Sequence, residues 1–152
     1  GFTEAGISAV VFGLGAFELL ASVTSARRTD TWGKERSTIF GALLILPAGL
    51  LLTVGHNNAI IGLILLGIYL LGFEFSIVSM LPLSANLIPS SPGRGLGIVL
   101  AGGTLGRASM SLIGTAAYDK FGINVPAFIG AICAAGMIGC IVAYGRTTQR
   151  TV

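Results

Sequence analysis

The sequence predicts an all-α membrane protein with five transmembrane helices, on three observations. Its 152 residues are 53% hydrophobic and 10% charged, with a mean hydropathy of +0.89, where a soluble domain carries about a quarter charged residues. The apolar residues run in stretches close to the ~20 that a helix needs to cross a bilayer. No alternation of apolar and polar residues competes with helix anywhere along the chain.

The spans follow from those stretches. The first runs over 5–26, interrupted by Glu18; the second over 38–54, the third over 59–87, the fourth over 96–118 and the fifth over 125–144. Four polar stretches separate them as expected loops: 27–37, 55–58, 88–95 and 119–124. Each carries the Gly, Pro, Asn or charged residues of a turn in water. Pro47 and Pro82 fall inside spans, where a membrane helix tolerates them. The chain opens on Gly1 and enters an apolar run almost at once, with no basic leader and no small-residue cleavage site. It therefore reads as the interior of a longer polypeptide rather than as a signal peptide followed by a mature protein.

Orientation follows from the basic residues. With alternating spans, Arg27, Arg28, Lys34, Arg36, Arg94, Arg146 and Arg150 fall on one side, against Lys120 on the other. The positive-inside rule then assigns the richer side to the cytoplasm of a cell (inner) membrane, with the N-terminus outside and the C-terminus inside. The net charge of +3 is thus a topology signal, and nucleic acid is not an expected partner.

Three ionisable side chains remain inside spans: Glu18, Glu74 and Arg107. Each costs about 2.5–3.5 kcal/mol at a helix centre on insertion scales and calls for a partner or a water-filled cavity. By helical rise Arg107 lies ~18 Å from Gly95, Glu74 ~20 Å from Leu87 and Glu18 ~14 Å from Arg27. A short loop makes the third and fourth spans antiparallel neighbours, which puts Glu74 and Arg107 near one level. They then either form a buried ion pair that fixes helix packing, or belong to a proton or solute pathway with Glu18. The second and fifth spans hold no ionisable residue and read as peripheral supports for three cavity-lining helices.

Gly102, Gly103, Gly106 and Gly114 in the fourth span, and Gly130, Ala134, Gly136 and Gly139 in the fifth, are residue types that let membrane helices approach closely. Tight packing is the expected role of every one. No span shows a repeated polar face, which weighs against a small channel.

The first loop, ARRTDTWGKER over 26–36, has a solvated, topology-setting reading. Its spacing D-x-x-G-K-x-R, carried by Asp30, Gly33, Lys34 and Arg36, also closely resembles the cytoplasmic signature loop of the major facilitator superfamily, with Ala26 where that family usually has glycine. The resemblance extends to GFEF at 72–75, LPLSANLIP at 81–89, GRG at 93–95, LGR at 105–107 and YD at 118–119, which look like the tenth and eleventh helices of bacterial drug or metabolite efflux members. It implies that the five spans are helices eight to twelve of a twelve-helix transporter. It also implies that Asp30, Gly33, Lys34 and Arg36 gate the inner side, and that the missing N-terminal half is a partner. In the register of helices two to six, an arginine early in the third span and a Gly-Pro pair in the fourth would be required, and neither is present.

Function is bounded by what else is absent. There is no Walker A motif, and no Ser/His/Asp or metal-ligand constellation accompanies His56. Cys133 and Cys140 are seven apart on one helix, too far for a disulfide. An enzyme is not expected, and neither is a cofactor. The expectation is proton-coupled movement of a small solute by a secondary carrier, through Glu74, Glu18 and Arg107, with flux requiring both halves around a midplane site. The alternative is a non-transporting membrane-embedded subunit whose charges serve helix docking.

Overall fold

A computed structural model of the chain describes residues 3–149; among them the structure is all-α. The helices are α1 (Glu4–Trp32), α2 (Lys34–Gly55), α3 (Ala59–Ala85), α4 (Pro92–Phe121) and α5 (Asn124–Gln149). All five are long and apolar enough to cross a membrane. Arg150, one of the expected inner-side cations, lies outside the described residues.

Local chemistry explains where the helices start. Thr3 caps α1 by accepting from the Gly6 amide at 3.2 Å. The Asn58 side chain accepts from the Ile60 and Ile61 amides at 3.0 and 3.3 Å and so opens α3. Pro92 opens α4, at a position where a missing amide hydrogen costs nothing. Gly122, at φ 66°, ends α4.

The expected loop over 27–37 is corrected by the structure. Residues 27–32 continue α1, α2 begins at Lys34, and Gly33 alone separates them at φ 91°. The Gly33 amide donates to the Thr29 carbonyl, and its own carbonyl accepts from the Ser37 amide, so the ladder is broken at one residue. A span ends where apolar residues end, but a helix satisfies its backbone equally well in water and continues. For the same reason α4 takes in Arg94 and Gly95 at its start and Asp119 to Phe121 at its end.

α2 and α3 run antiparallel, as the contacts of Gly41 with Gly72 and of Gly49 with Tyr69 show. A Cβ on Gly41 of α2 would collide with Ser76 Oγ and stand 2.6 Å from the Gly72 carbonyl of α3, while one on Gly72 would lie 2.7 Å from the Gly41 carbonyl. Backbone therefore touches backbone where α2 crosses α3. About two turns further along α2, Gly49 meets the Ala127 carbonyl of α5 and the Tyr69 ring of α3, so three helices converge there. The Tyr69 hydroxyl in turn rests on Gly130 of α5.

Two expectations change as a result. The close-packing glycines include Gly41, Gly49, Gly72, Gly95 and, as expected, Gly130, whereas a Cβ at Gly102, Gly103, Gly106, Gly114, Gly136 or Gly139 would meet nothing within 4 Å. Ala134 is buried as expected. The charge-free spans are also not peripheral supports: α2 packs most extensively, against α3 and α5, and holds the largest set of buried residues of any helix among the described residues. An absence of charge marks an apolar surrounding, and protein interior and lipid are equally apolar. By contrast α4 buries Gly95 alone, and α1 is held mainly by its seam with α3.

Candidate functional site

Glu74 is half-buried on α3 and faces α1. Its carboxylate Oε2 accepts from the Ser22 hydroxyl at 2.9 Å. The expected pairing with Arg107 does not form: no ion pair joins the two. Depth along a helix does not by itself decide proximity, because a helix turns ~100° per residue and places neighbours on different faces. On α3, Tyr69, Phe73, Ser76, Ile77 and Met80 look towards α4 and α5, while Glu74 looks the other way.

Ser22 belongs to a stripe. Glu18, Ser22, Ser25 and Thr29 recur at spacings of four, three and four along α1, which is the period of one helix face. The expectation that no span carries a repeated polar face is corrected here. Glu18 is half-buried at the N-terminal end of this stripe, one turn before Ser22.

Beyond Ser22 the stripe closes into a hydroxyl cluster. Ser25 Oγ donates to the Phe75 carbonyl at 3.1 Å and Thr29 Oγ1 donates to the Ser25 carbonyl at 2.7 Å. Ser79 Oγ lies 2.9 Å from each of the two hydroxyl oxygens. All three side chains are buried. With the Ser25 and Thr29 protons committed to carbonyls, the single Ser79 proton serves one of its two neighbours at a time. These residues are absent from the sequence-derived site; the 4-3-4 spacing on α1 was the signal that could have found them.

Arg107 stands elsewhere. It is exposed on α4 and lines a cavity of about 480 Å³ between α3, α4 and α5. The walls are apolar, and all three methionines of the chain, Met80, Met110 and Met137, contribute to them. No acidic residue lines the cavity, and Arg107 has no ion-pair partner among the described residues.

The four signature-loop residues surround the α1–α2 break. Asp30 lies in the last turn of α1 and is exposed, Gly33 is the break itself, Lys34 opens α2 half-buried, and Arg36 is exposed two residues on. No ion pair links them to another described residue. The Lys34 carbonyl accepts from Thr38 Oγ1 at 2.8 Å. What holds the break is aromatic: Trp32, Phe40 and Phe75 bring α1, α2 and α3 together with ring centroids 5.3 to 6.2 Å apart. The Arg28 guanidinium sits 5.6 Å over the Trp32 ring.

Among the described residues no cluster of His, Cys, Asp or Glu is arranged to hold a metal. The chain matches no protein-family model, no curated protein and no solved structure.

Proposed function

We propose that this chain is the membrane-embedded part of a proton-coupled secondary transporter for a small solute, working with a further set of helices. The observation that carries this reading is Glu74, a carboxylate set between two spans whose partner is the neutral hydroxyl of Ser22 rather than a cation. Ionisable groups at such positions recur in proton relays. A hydroxyl can donate to the ionised carboxylate and can accept from the protonated one, so the same contact serves both states. Glu18, one turn away on the same stripe, is the second candidate for proton passage. Arg107, in its own cavity, belongs to the solute rather than to the proton.

The major facilitator resemblance of the 26–36 segment supports a carrier over a docking subunit, and gives Asp30, Gly33, Lys34 and Arg36 a gating role. The helix ends bearing Arg27, Arg28, Lys34, Arg36, Arg94 and Arg146 face the cytoplasm in this reading.

The test uses the full-length protein in proteoliposomes under an imposed pH gradient, read by a lumenal pH dye during solute addition. Glu74→Gln is expected to abolish coupled proton movement, and Glu18→Gln to weaken it. Transport whose pH dependence survives both substitutions together would refute the relay and favour a structural role for the two carboxylates.

A further inference from the structure

We propose that the cavity between α3, α4 and α5 binds an amphipathic organic anion, its carboxylate on Arg107 and its aromatic body against the methionine-lined wall. As the solute class of the carrier, this rests on the transport reading above; the binding step is measured apart from it.

Three observations point to this occupant. The first is charge. Arg107 is the one formally charged residue among those lining the cavity, and it has no ion-pair partner among the described residues. Ser76 Oγ, which also reaches the wall, already donates to the Thr38 carbonyl at 3.4 Å. A guanidinium presents a planar fork of donors that matches a carboxylate, and in an apolar surrounding such a group calls for a counter-charge.

The second is space. About 480 Å³ falls within the roughly 300–1,000 Å³ of small-molecule sites. Gly103 and Gly106 line the cavity beside Arg107, and a Cβ on either would meet nothing within 4 Å. The helix surface next to the guanidinium is therefore open rather than packed.

The third is the wall. Met80, Met110 and Met137 come from three different helices and face one volume together with Tyr69 and Phe73. Thioethers are adaptable and make favourable contacts with aromatic rings. A lipid headgroup fits less well, because Arg107 lies ~18 Å along α4 from Gly95, well inside a hydrocarbon layer about 30 Å thick.

The test is equilibrium binding of tritiated 1-naphthoate to the purified full-length protein in detergent, with neutral 1-naphthamide and phosphatidylglycerol as competitors. Saturable binding is expected, displaced by naphthoate and not by the amide or the lipid. Arg107→Gln should weaken it by about tenfold or more, the scale of a lost charge-assisted hydrogen bond, and Arg107→Lys should retain part of it. Gly103→Leu fills the open surface while leaving Arg107 in place, and should abolish binding without lowering the unfolding midpoint; it keeps the test decisive if Arg107→Gln fails to fold. Equal binding of the amide, displacement by phosphatidylglycerol, or unchanged binding in Gly103→Leu would each overturn the site. Coupled flux that persists without naphthoate binding removes the anion site and leaves the carrier. Naphthoate binding without coupled flux does the reverse.

Discussion

Ser22 on α1 donates its hydroxyl hydrogen to the Glu74 carboxylate on α3 at 2.9 Å, and this contact, rather than a pairing with Arg107, fixes where the carboxylate points. The two helices run in the same direction along this seam, since Ser22 meets residue 74 and Thr29 meets residue 79. An interhelical bond of this kind contributes about 1 kcal/mol in a membrane, less than its strength in isolation, because the separated helices also find partners.

Ser22→Ala is accordingly expected to lower the stability of the full protein by about 1 kcal/mol, measured by thermal unfolding in detergent. Its effect on coupled proton movement should exceed that modest cost, because Glu74 loses its aim as well as its donor. Wild-type coupling in Ser22→Ala would remove the hydroxyl from the pathway.

Glycine substitutions separate packed from open positions. Gly72→Ala puts a methyl 2.7 Å from the Gly41 carbonyl and 2.8 Å from Leu44 Cβ, so α2 and α3 must part, at a cost of about 1–3 kcal/mol. Gly103→Ala meets nothing and should be neutral or slightly stabilising, since alanine is favoured over glycine in helices by about 0.5–1 kcal/mol. Unfolding midpoints of the two variants decide the matter; equal losses would contradict the crossing described.

Phe75→Ala removes the ring shared by Trp32 and Phe40 from a buried position. A loss of about 3–5 kcal/mol is expected. Trp32 is the sole tryptophan of these 152 residues, and its emission should shift to the red as α1 loosens from α2. An unshifted spectrum would mean that the rings do not hold the joint.

Sidedness is tested with single cysteines after Cys133 and Cys140 are replaced by alanine. Arg36→Cys and Ser90→Cys should react with an impermeant maleimide from one face of the membrane, and Asn57→Cys from the other. Labelling of all three from one face would break the alternation of spans.

Much of this architecture was legible in the residue order. Apolar runs locate the five helices because a bilayer imposes one length on every crossing. Helix ends were less so, since hydropathy stops at the lipid boundary and α1 does not: Arg27 and Arg28 continue it as readily as the leucines before them. The Glu74–Arg107 pairing failed because helical rise supplies depth and leaves azimuth open. Azimuth does appear in the recurrence of Glu18, Ser22, Ser25 and Thr29, which ties α1 to a polar seam before any partner is known. Gly130 was read correctly as a packing glycine, but most of the others were not, because Gly72 and Gly103 differ in what crosses them and not in their own helices.

The single-residue break at Gly33 has a mechanical consequence. A long loop between two rods absorbs displacement as slack, whereas a joint of one residue transmits thrust and yields only in angle. If α1 slides along its seam, α2 is pushed or pulled by the same distance, and the Trp32, Phe40 and Phe75 rings act as the bearing on which that angle turns. The two helices therefore form a linkage whose soft torsions are the φ and ψ of Gly33, a residue held at a φ of 91° that a side chain would resist.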